Sequence, residues 1–365
     1  MTTRAGALLV LADGEVFEGE AAGALGSGGL ATGEIVFNTA LSGYQEVVTD
    51  PSYAGQVIVF TYPHIGNYGT NATDDESRRP FCDGVVVRDL VAEPSNWRST
   101  EGFESFLVRH GVPAITGVDT RRLTRHLRDE GAMGCAMGTG PEAAVLEAAR
   151  AAPTTTGRDL VSAVMITEPL TRGDGPRRIV AYDFGVKETM LRQLTRLATV
   201  TVVPAGTSAE DVLAYEPDGV LLSNGPGDPE VLAGPIAAVS DLLGRVPIFG
   251  ICLGHQLLAL ALGGSTYKLG FGHHGINHPV QHLASGRVEV TSQNHNYAVA
   301  EGSVPAAEVT HRNLNDGVIE GIRCTRANAF SVQFHPEAGP GPHDAHTLFA
   351  DFLALLDAGA ATGAR

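Results

Sequence analysis

The stretch Val246-Pro-Ile-Phe-Gly-Ile-Cys-Leu-Gly-His-Gln256 decides the fold of the C-terminal half of the chain. Its first part is an apolar run typical of a buried strand, and a helical pattern follows from His255 to Leu262. Gly250 and Gly254 lie two residues before and two residues after Cys252, so the backbone can turn sharply from strand to helix. We therefore predict that Cys252 is presented at a strand end, above a helix N-terminus that favours its thiolate.

Strands and helices alternate along the chain around this stretch. The predicted strands are Ile179–Phe184, Thr199–Pro204, Gly219–Ser223 and Val246–Ile251, and the predicted helices between them are Glu188–Ala198, Ser208–Tyr215 and Ile236–Leu243. This alternation predicts βαβ units, hence an α/β fold with a doubly wound parallel sheet. In such sheets the functional site lies at the carboxyl ends of the strands, where Cys252 is predicted to be.

The N-terminal half has a different pattern, which predicts a strand-rich α+β domain. Alternating apolar stretches lie between turn residues at Ala7–Leu11, Gly33–Phe37, Val57–Thr61 and Gly84–Val87, and one helix is predicted at Thr120–Arg128. Residues 151–157 and 171–176 are rich in helix and strand breakers. We therefore predict an N-terminal domain at residues 1–150, a linker at 151–177 and a second domain at 178–365.

A second motif, Ser331-Val-Gln-Phe-His-Pro-Glu337, supplies an imidazole and a carboxylate two residues apart. On its own, a buried cysteine is usually a packing residue and His-Pro-Glu is usually a surface turn. An elbow cysteine combined with His335 and Glu337 after another strand instead favours a nucleophile, a general base and a group that orients the base. The sequence therefore predicts a Cys252-His335-Glu337 catalytic triad.

A third motif, Ser223-Asn-Gly-Pro-Gly-Asp-Pro229, follows a predicted strand. It can be an ordinary tight turn, or a rigid loop whose backbone N–H groups face a ligand. Attack of a thiolate on an amide produces an oxyanion that needs preorganised donors. The N–H groups of Gly225 and Leu253 are predicted to supply them.

The composition restricts the class of protein. The chain has 365 residues, 43% of them hydrophobic, and a formal net charge of -16 that argues against nucleic acid or an anionic membrane as partner. The N-terminal apolar run, Ala5–Ala12, is too short for export or for spanning a membrane. Four cysteines without metal-site spacing indicate a reduced cytoplasm, and three of them are expected to pack in the core: Cys82, Cys135 and Cys324.

The motifs together resemble those of a known family. The runs Gly250–Gln256, Ser223–Pro229 and Phe334–Ala338 are similar to the marks of class I glutamine amidotransferases, the triad glutaminases. Three further runs resemble the small subunit of carbamoyl-phosphate synthase: Phe37–Tyr53, Tyr62–Asn67 and Phe271–Val280. The resemblance covers nearly the whole chain, including an N-terminal domain that other triad glutaminases lack.

The resemblance implies roles for the residues that match. Cys252 matches the nucleophile that forms a γ-glutamyl thioester, His335 the base that later protonates ammonia, and Glu337 the group that holds the imidazole. The positions that match glutamine contacts are Ser52, Gly225, Gly227, Leu253, Gln256, Asn294, Asn296 and Tyr297. Asn296 occupies a position where the family is expected to have glycine, so its side chain is expected to alter backbone freedom near the substrate.

The resemblance also implies a partner. The chain has only two lysines, Lys187 and Lys268, and neither lies in a phosphate-binding loop motif. We therefore expect no cofactor in this chain, with ATP and magnesium on a large subunit that makes carbamoyl phosphate from bicarbonate, ammonia and two ATP. A heterodimer that can assemble further is expected, with ammonia passed between subunits for arginine and pyrimidine synthesis. The N-terminal domain is the expected docking surface.

Two other functions are alternatives to this one. An amidotransferase subunit of another synthase, such as anthranilate synthase, would share the triad, but the N-terminal domain and the run Phe271–Val280 argue against it. A catalytically silent regulatory or scaffold protein on the same fold would not need an intact Cys252, His335 and Glu337.

Other patterns give weaker signals. A zinc site at His273, His274 and His278 is disfavoured because no cysteine or carboxylate accompanies them at ligand spacing, so no metal is predicted. The glycine-rich run Gly23–Gly29 does not join a strand to a helix, as a dinucleotide-binding loop would. One stripe of the helix at Thr120–Arg128 is either a solvated face or a subunit contact, and it carries Arg121, Arg125 and Arg128.

Overall fold

The computed structural model describes residues 4–26 and 29–361, so the glycine-rich run lies partly outside the described residues. Contacts within the chain group it into two compact units. The first unit contains the residues up to Thr156 together with Gly270–His274, and the second contains Gly157–Leu269 and the residues from Gly275 onward.

The first unit is rich in strands. Its strands are β1 (Gly6–Leu11), β2 (Val16–Gly23), β3 (Leu30–Asn38), β4 (Gln56–Phe60), β5 (His64–Ile65), β6 (Gly84–Val86), β7 (Asp89–Leu90), β8 (Pro113–Thr116) and β9 (Met133–Gly138). Its helices are α1 (Tyr44–Thr49), α2 (Phe103–Arg109), α3 (Thr120–Glu130) and α4 (Glu142–Ala151), with a 3₁₀ helix at Pro51–Tyr53.

Seven of these strands form a closed barrel in the order β1-β2-β8-β6-β4-β3-β9. The barrel closes because β9 pairs antiparallel with both β1 and β3. Fully buried residues such as Leu9, Val57 and Ile115 pack together in one of its cores. The strand-rich character predicted from sequence is therefore confirmed, whereas the closure was not part of the prediction.

The second unit contains the predicted α/β pattern. Its strands are β10 (Leu170–Arg172), β11 (Arg178–Asp183), β12 (Thr199–Pro204), β13 (Gly219–Leu222), β14 (Ile248–Ile251), β15 (Thr266–His282), β16 (Val288–Val299), β17 (Ala307–Asn313), β18 (Ile319–Cys324) and β19 (Ala329–Val332). Its helices are α5 (Val161–Val164), α6 (Glu188–Thr195), α7 (Ala209–Ala214), α8 (Ala233–Leu242), α9 (Leu253–Ala261) and α10 (Thr347–Ala361), with a 3₁₀ helix at Pro229–Val231.

The parallel part of the sheet has the order β12-β11-β13-β14-β19 and is covered by helices on both faces. Along β11, Val180 and Tyr182 pack in a core with α7, α8 and α9. The alternate residues Ile179 and Ala181 pack in a second core with α6 and α10. Since successive side chains of a strand point to opposite faces, these two cores confirm the doubly wound architecture.

The rest of the sheet differs from a purely parallel one. Beyond β19, the strands continue in the order β18-β17-β15-β16, and β17 pairs antiparallel with both β15 and β18. Residues 151–177, predicted as linker, contain α5 and the edge strand β10. None of the helices in the described part of the chain has the length and apolarity that a membrane span needs.

Candidate active site

Cys252 lies at the junction of β14 and α9, where the backbone is strained. Its φ is 56° and its ψ is -106°, a positive φ that a residue with a side chain rarely adopts. A Cβ on Gly250 would lie 2.6 Å from the Gly254 carbonyl oxygen, and a Cβ on Gly254 would lie 2.2 Å from the Leu222 carbonyl oxygen. Both flanking positions therefore require glycine, and the predicted elbow geometry is confirmed.

His335 and Glu337 form a buried pair just after β19. His335 Nδ1 lies 2.7 Å from Glu337 Oε1, and the two side chains are 1% and 0% exposed. Burial alone would lower the pKa of His335, but the Glu337 carboxylate and the nearby Cys252 raise it overall. The pair therefore stabilises a protonated imidazole away from water.

Cys252 is close to this imidazole. Its side chain is one of the groups that raise the pKa of His335, by charge and by hydrogen bonding. His335 Nε2 is buried and has no hydrogen-bond partner of standard length among the described residues. The Cys252 thiol donates to the Asn294 carbonyl oxygen at 3.5 Å, and Cys252 is only 2% exposed. Fold and side-chain geometry thus bring the three predicted triad residues together.

Lys187 is a third charged residue at this site, beside His335 and Glu337, although the sequence interpretation gave it no role here. Its Nζ donates to Glu337 Oε1 at 3.1 Å and to the Ala338 carbonyl oxygen at 2.6 Å. Burial alone would raise the pKa of Glu337, but Lys187 and then His335 lower it overall. The carboxylate is therefore charged inside the protein because two basic groups, Lys187 Nζ and His335 Nδ1, both contact its Oε1.

The position of Lys187 follows from the ends of two strands. Lys187 lies four residues after β11, the strand next to β13, and its backbone N–H donates to Asn224 Oδ1 at 3.3 Å. Asn224 Nδ2 donates to the Gly185 carbonyl oxygen at 2.8 Å, which fixes the two loops to each other. The sequence did contain a signal for this role of Lys187. It is one of only two lysines in the chain, and it lies just after a central strand.

The predicted oxyanion loop lies beside the elbow. A Cβ on Gly225 would lie 2.2 Å from the Phe184 carbonyl oxygen and 2.8 Å from Leu253 Cδ2, so only glycine fits this close approach. Gly227 has a φ of 90°, a conformation that favours glycine. Leu253 is the first residue of α9, and the first N–H groups of a helix have no partner within the helix. Gly225 and Leu253 therefore come from neighbouring strand ends, as predicted.

The predicted glutamine contacts of the second unit lie on two elements. Gln256, on the first turn of α9, donates through Nε2 to the Tyr297 carbonyl oxygen at 2.8 Å and to Gln333 Oε1 at 3.0 Å. Asn294, Asn296 and Tyr297 lie on β16. Asn296 has extended backbone, which any residue adopts, so its conformation does not require the expected glycine.

A buried polar chain supports β16 at this point, and sequence reasoning did not identify it. Glu320 Oε2 accepts from Gln293 Nε2 at 3.0 Å, and Gln293 Oε1 lies 3.0 Å from His295 Nε2. His295 Nδ1 lies 2.8 Å from the Tyr297 carbonyl oxygen, which also accepts from Gln256. All are buried, so these hydrogen bonds fix the strand beside the elbow.

Ser52 is the predicted contact that belongs to the first unit. It lies in the 3₁₀ helix Pro51–Tyr53, and its backbone N–H donates to Asp50 Oδ1 at 2.9 Å. Its side chain is buried, with 8% of the residue exposed. The turn that carries Ser52 is therefore fixed by its own capping residue.

Comparisons with known proteins agree with this chemistry. The family model described as carbamoyl-phosphate synthase small chain, CPSase domain, matches residues 9–137. The family model described as glutamine amidotransferase class-I matches residues 180–355. The two matches fall on the strand-rich first unit and on the α/β second unit.

Two relatives match over nearly the whole chain, and a solved structure matches 52% of it. A carbamoyl phosphate synthase small chain from Syntrophotalea carbinolica is 52% identical over 371 residues, covering 96% of this chain and 98% of that protein. One from Escherichia coli K12 is 50% identical over 374 residues, covering 96% and 97%. A solved glutamine amidotransferase structure from Thermotoga maritima has a TM-score of 0.36 at 19% identity, covering 52% of this chain and 86% of that one.

Proposed function

The chain belongs to the carbamoyl-phosphate synthase small-chain family, and we propose a residue-level mechanism by which it hydrolyses glutamine for a synthase partner. The observation that carries the mechanism is the buried 2.7 Å contact between His335 and Glu337, next to Cys252 on a strained elbow. A nucleophile, a base and an orienting carboxylate in this order support acyl transfer through a covalent intermediate.

The first half of the reaction forms the thioester. The Cys252 thiol gives its proton to His335 Nε2, and the thiolate attacks the side-chain amide carbon of glutamine. The backbone N–H groups of Gly225 and Leu253 donate to the resulting oxyanion. His335 then protonates the departing nitrogen, so that ammonia leaves and a γ-glutamyl thioester remains on Cys252.

The second half regenerates the enzyme. His335, now neutral, accepts a proton from water as the water attacks the thioester carbonyl. The same two N–H groups stabilise the second oxyanion, and collapse of this intermediate releases glutamate and the Cys252 thiolate, which His335 re-protonates. Glu337 stabilises the imidazolium in both halves, and Lys187 keeps the buried Glu337 charged.

Glutamine recognition is proposed for the remaining matched residues. Gln256 and the β16 residues surround the elbow in the second unit through hydrogen bonds already fixed in the free protein. Such preorganisation favours a single orientation of a small polar substrate. The full proposed set of glutamine contacts is Ser52, Gly225, Gly227, Leu253, Gln256, Asn294, Asn296 and Tyr297.

We also propose that the ammonia is used by a large subunit. That subunit would bind ATP and magnesium and make carbamoyl phosphate from bicarbonate, in a heterodimer in the cytoplasm that serves arginine and pyrimidine synthesis. Ammonia is largely protonated at neutral pH, and the protonated form is not a nucleophile. Direct transfer between subunits would keep it reactive.

The rival functions are less well supported. An anthranilate-type amidotransferase subunit does not explain a first unit whose family match is the small chain of carbamoyl-phosphate synthase. A silent scaffold does not explain a strained Cys252 beside a buried His335-Glu337 pair, since strain and buried charge both lower stability.

Trapping the thioester tests the proposed mechanism. The protein, with its large subunit, is mixed with glutamine, quenched in acid and digested for mass spectrometry. We expect a γ-glutamyl adduct on the peptide that contains Cys252, and none in Cys252→Ala. Cys324→Ala, a buried cysteine of the same unit, serves as the matched control and should keep the adduct. Glutamate release without an adduct on Cys252 would refute the covalent mechanism.

A further inference from the structure

Helix α3 of the first unit is fixed to the barrel by one face and exposes another. Asp119 caps the helix by accepting from the Arg122 backbone N–H at 3.0 Å. Leu123 and Leu127 are fully buried. Because these contacts hold α3 in place, side chains on its outer face are presented from a rigid element. We call the outer set the arginine face, and its members are Arg121, Arg125 and Arg128, all of them exposed.

The basic residues next to the arginine face have acidic partners within the chain. Arg122 pairs with Glu15, and His126 Nε2 lies 2.6 Å from Asp13 Oδ2. Within the arginine face itself, Arg128 pairs with Asp129 at 2.8 Å, whereas within the described residues no carboxylate pairs with Arg121 or Arg125. The difference is notable because the chain has 41 acidic residues against 25 basic ones.

The arginine face also opposes the stability of its own helix. Arg121 lies in the first turn, where the helix dipole favours acidic residues, and that turn contains none. Arg121 and Arg125 are four residues apart, a spacing at which like charges repel. Residues that lower the stability of an otherwise well-formed helix are typical of functional sites.

We propose that the arginine face docks on an acidic surface of the large subunit. This inference rests on the proposed function, because it names the surface that the synthase partner contacts. Guanidinium groups suit such a role, since they form bidentate bonds with carboxylates and are enriched among the residues that dominate interface energies. A strongly acidic chain needs such a region to meet an acidic partner surface without repulsion.

Charge reversal on the full-length protein tests the proposal. The variant R121E/R125E is compared with R172E/R178E, which makes the same charge change at two exposed arginines of the second unit. Affinity for the complete large subunit is measured by calorimetry over a series of NaCl concentrations. We expect R121E/R125E to weaken binding by about tenfold or more at low salt and to flatten the salt dependence, with little change in the control.

Two further measurements separate recognition from folding. R121K/R125K keeps the charge and should retain most of the affinity. Arg121→Glu places an acid at the first turn, so its Tm should stay equal or rise while its affinity falls. A merely structural role would instead lower the Tm and the affinity together.

The outcomes are distinct. If the wild-type chain does not bind the large subunit, the proposed function fails. If it binds, and R121E/R125E matches the control in affinity and salt dependence, the arginine face is not the docking surface. If the reversal instead abolishes self-association in sedimentation experiments and leaves binding to the large subunit unchanged, the face contacts a second copy of this chain, and the proposal is overturned.

Discussion

Each unit of this protein contains a histidine–carboxylate pair of almost the same length, and the two pairs differ in their surroundings. In the first unit, His64 Nδ1 lies 2.8 Å from Asp89 Oδ2, with the side chains 59% and 55% exposed. In the second unit, His335 Nδ1 lies 2.7 Å from Glu337 Oε1, with exposures of 1% and 0%. Distance alone therefore does not distinguish a catalytic pair from a surface contact.

The difference shows what burial contributes. Water screens the exposed pair, and such surface pairs stabilise a protein by about 0–1 kcal/mol. Within the buried pair the charges interact strongly and shift the pKa of both groups, and Lys187 compensates the carboxylate. The catalytic pair of the second unit is thus buried away from solvent, whereas the His64–Asp89 pair of the first unit is exposed to it.

The largest contrast is expected from removing each imidazole. His335→Asn should lower the kcat for glutamine hydrolysis by at least about 1,000-fold, because it removes the proposed base and acid. His64→Asn should leave kcat within a factor of about two, because its pair is solvated and adds little. Steady-state kinetics of the complex measure both. Equal losses of kcat in the two variants would contradict the assignment of catalysis to the buried pair.

Lys187→Met tests whether the buried carboxylate needs its cation. We expect a loss of about 3–5 kcal/mol in the free energy of unfolding, because Glu337 loses one of the two basic partners that compensate its buried charge. The only other lysine, Lys268, is partly exposed, and Lys268→Met should therefore lower the free energy of unfolding by less than about 1 kcal/mol. Denaturant unfolding measures both changes, and similar losses would show that Lys187 does not act through Glu337.

The pH dependence of stability should differ between the two pairs. Glu337 has a lowered pKa, so its stabilisation is full above 4.5 and is lost as the pH falls towards about 2. His335 has a raised pKa, so its stabilisation is full below 6.5 and is lost as the pH rises towards about 10.

The free-energy difference between the wild type and His335→Asn/Glu337→Gln should therefore be greatest between pH 4.5 and 6.5. Unfolding titrations across the pH range measure it. The exposed counterpart, His64→Asn/Asp89→Asn, is the control, and because water screens this pair its removal should change the free energy of unfolding by less than about 1 kcal/mol. A flat profile for the buried pair would mean that its protonation is not coupled to folding.

The smallest effect is expected at Asn296, the site position where the resemblance predicts a glycine. Asn296→Gly should change the KM for glutamine by less than about threefold and lower stability by about 0.5–1 kcal/mol, because glycine weakens a strand. Kinetics and thermal unfolding measure these two quantities. A much larger fall in KM would mean that the Asn296 side chain obstructs the substrate.

The part of this site that the sequence predicted depends on local backbone geometry. Gly250 and Gly254 flank Cys252 at a spacing that permits a strained elbow, and alternating strands and helices place that elbow at the carboxyl edge of a sheet. His335 and Glu337 are two residues apart, so one strand end positions both. Each of these features can be inferred from a short run of residues.

The remainder depends on contacts between distant segments. Lys187 meets Glu337 across 150 positions of sequence, and no motif records that contact. Barrel closure through β9 and the antiparallel pairing of β17 with β15 and β18 likewise result from long-range pairing, which hydrophobic periodicity does not encode. The polar chain from Glu320 to Tyr297 becomes visible only when β16 and β18 are folded together.

The most direct test of the central claim is the source of nitrogen used by the complex with Cys252→Ser. We predict that this variant loses carbamoyl-phosphate synthesis from glutamine and keeps nearly full synthesis from added ammonia, because only the supply of ammonia is removed. Cys135→Ser, at a buried cysteine of the first unit, is the matched control and should retain both activities in whatever fraction remains folded. Loss of both activities in Cys252→Ser, or retention of the glutamine-dependent one, would contradict the account.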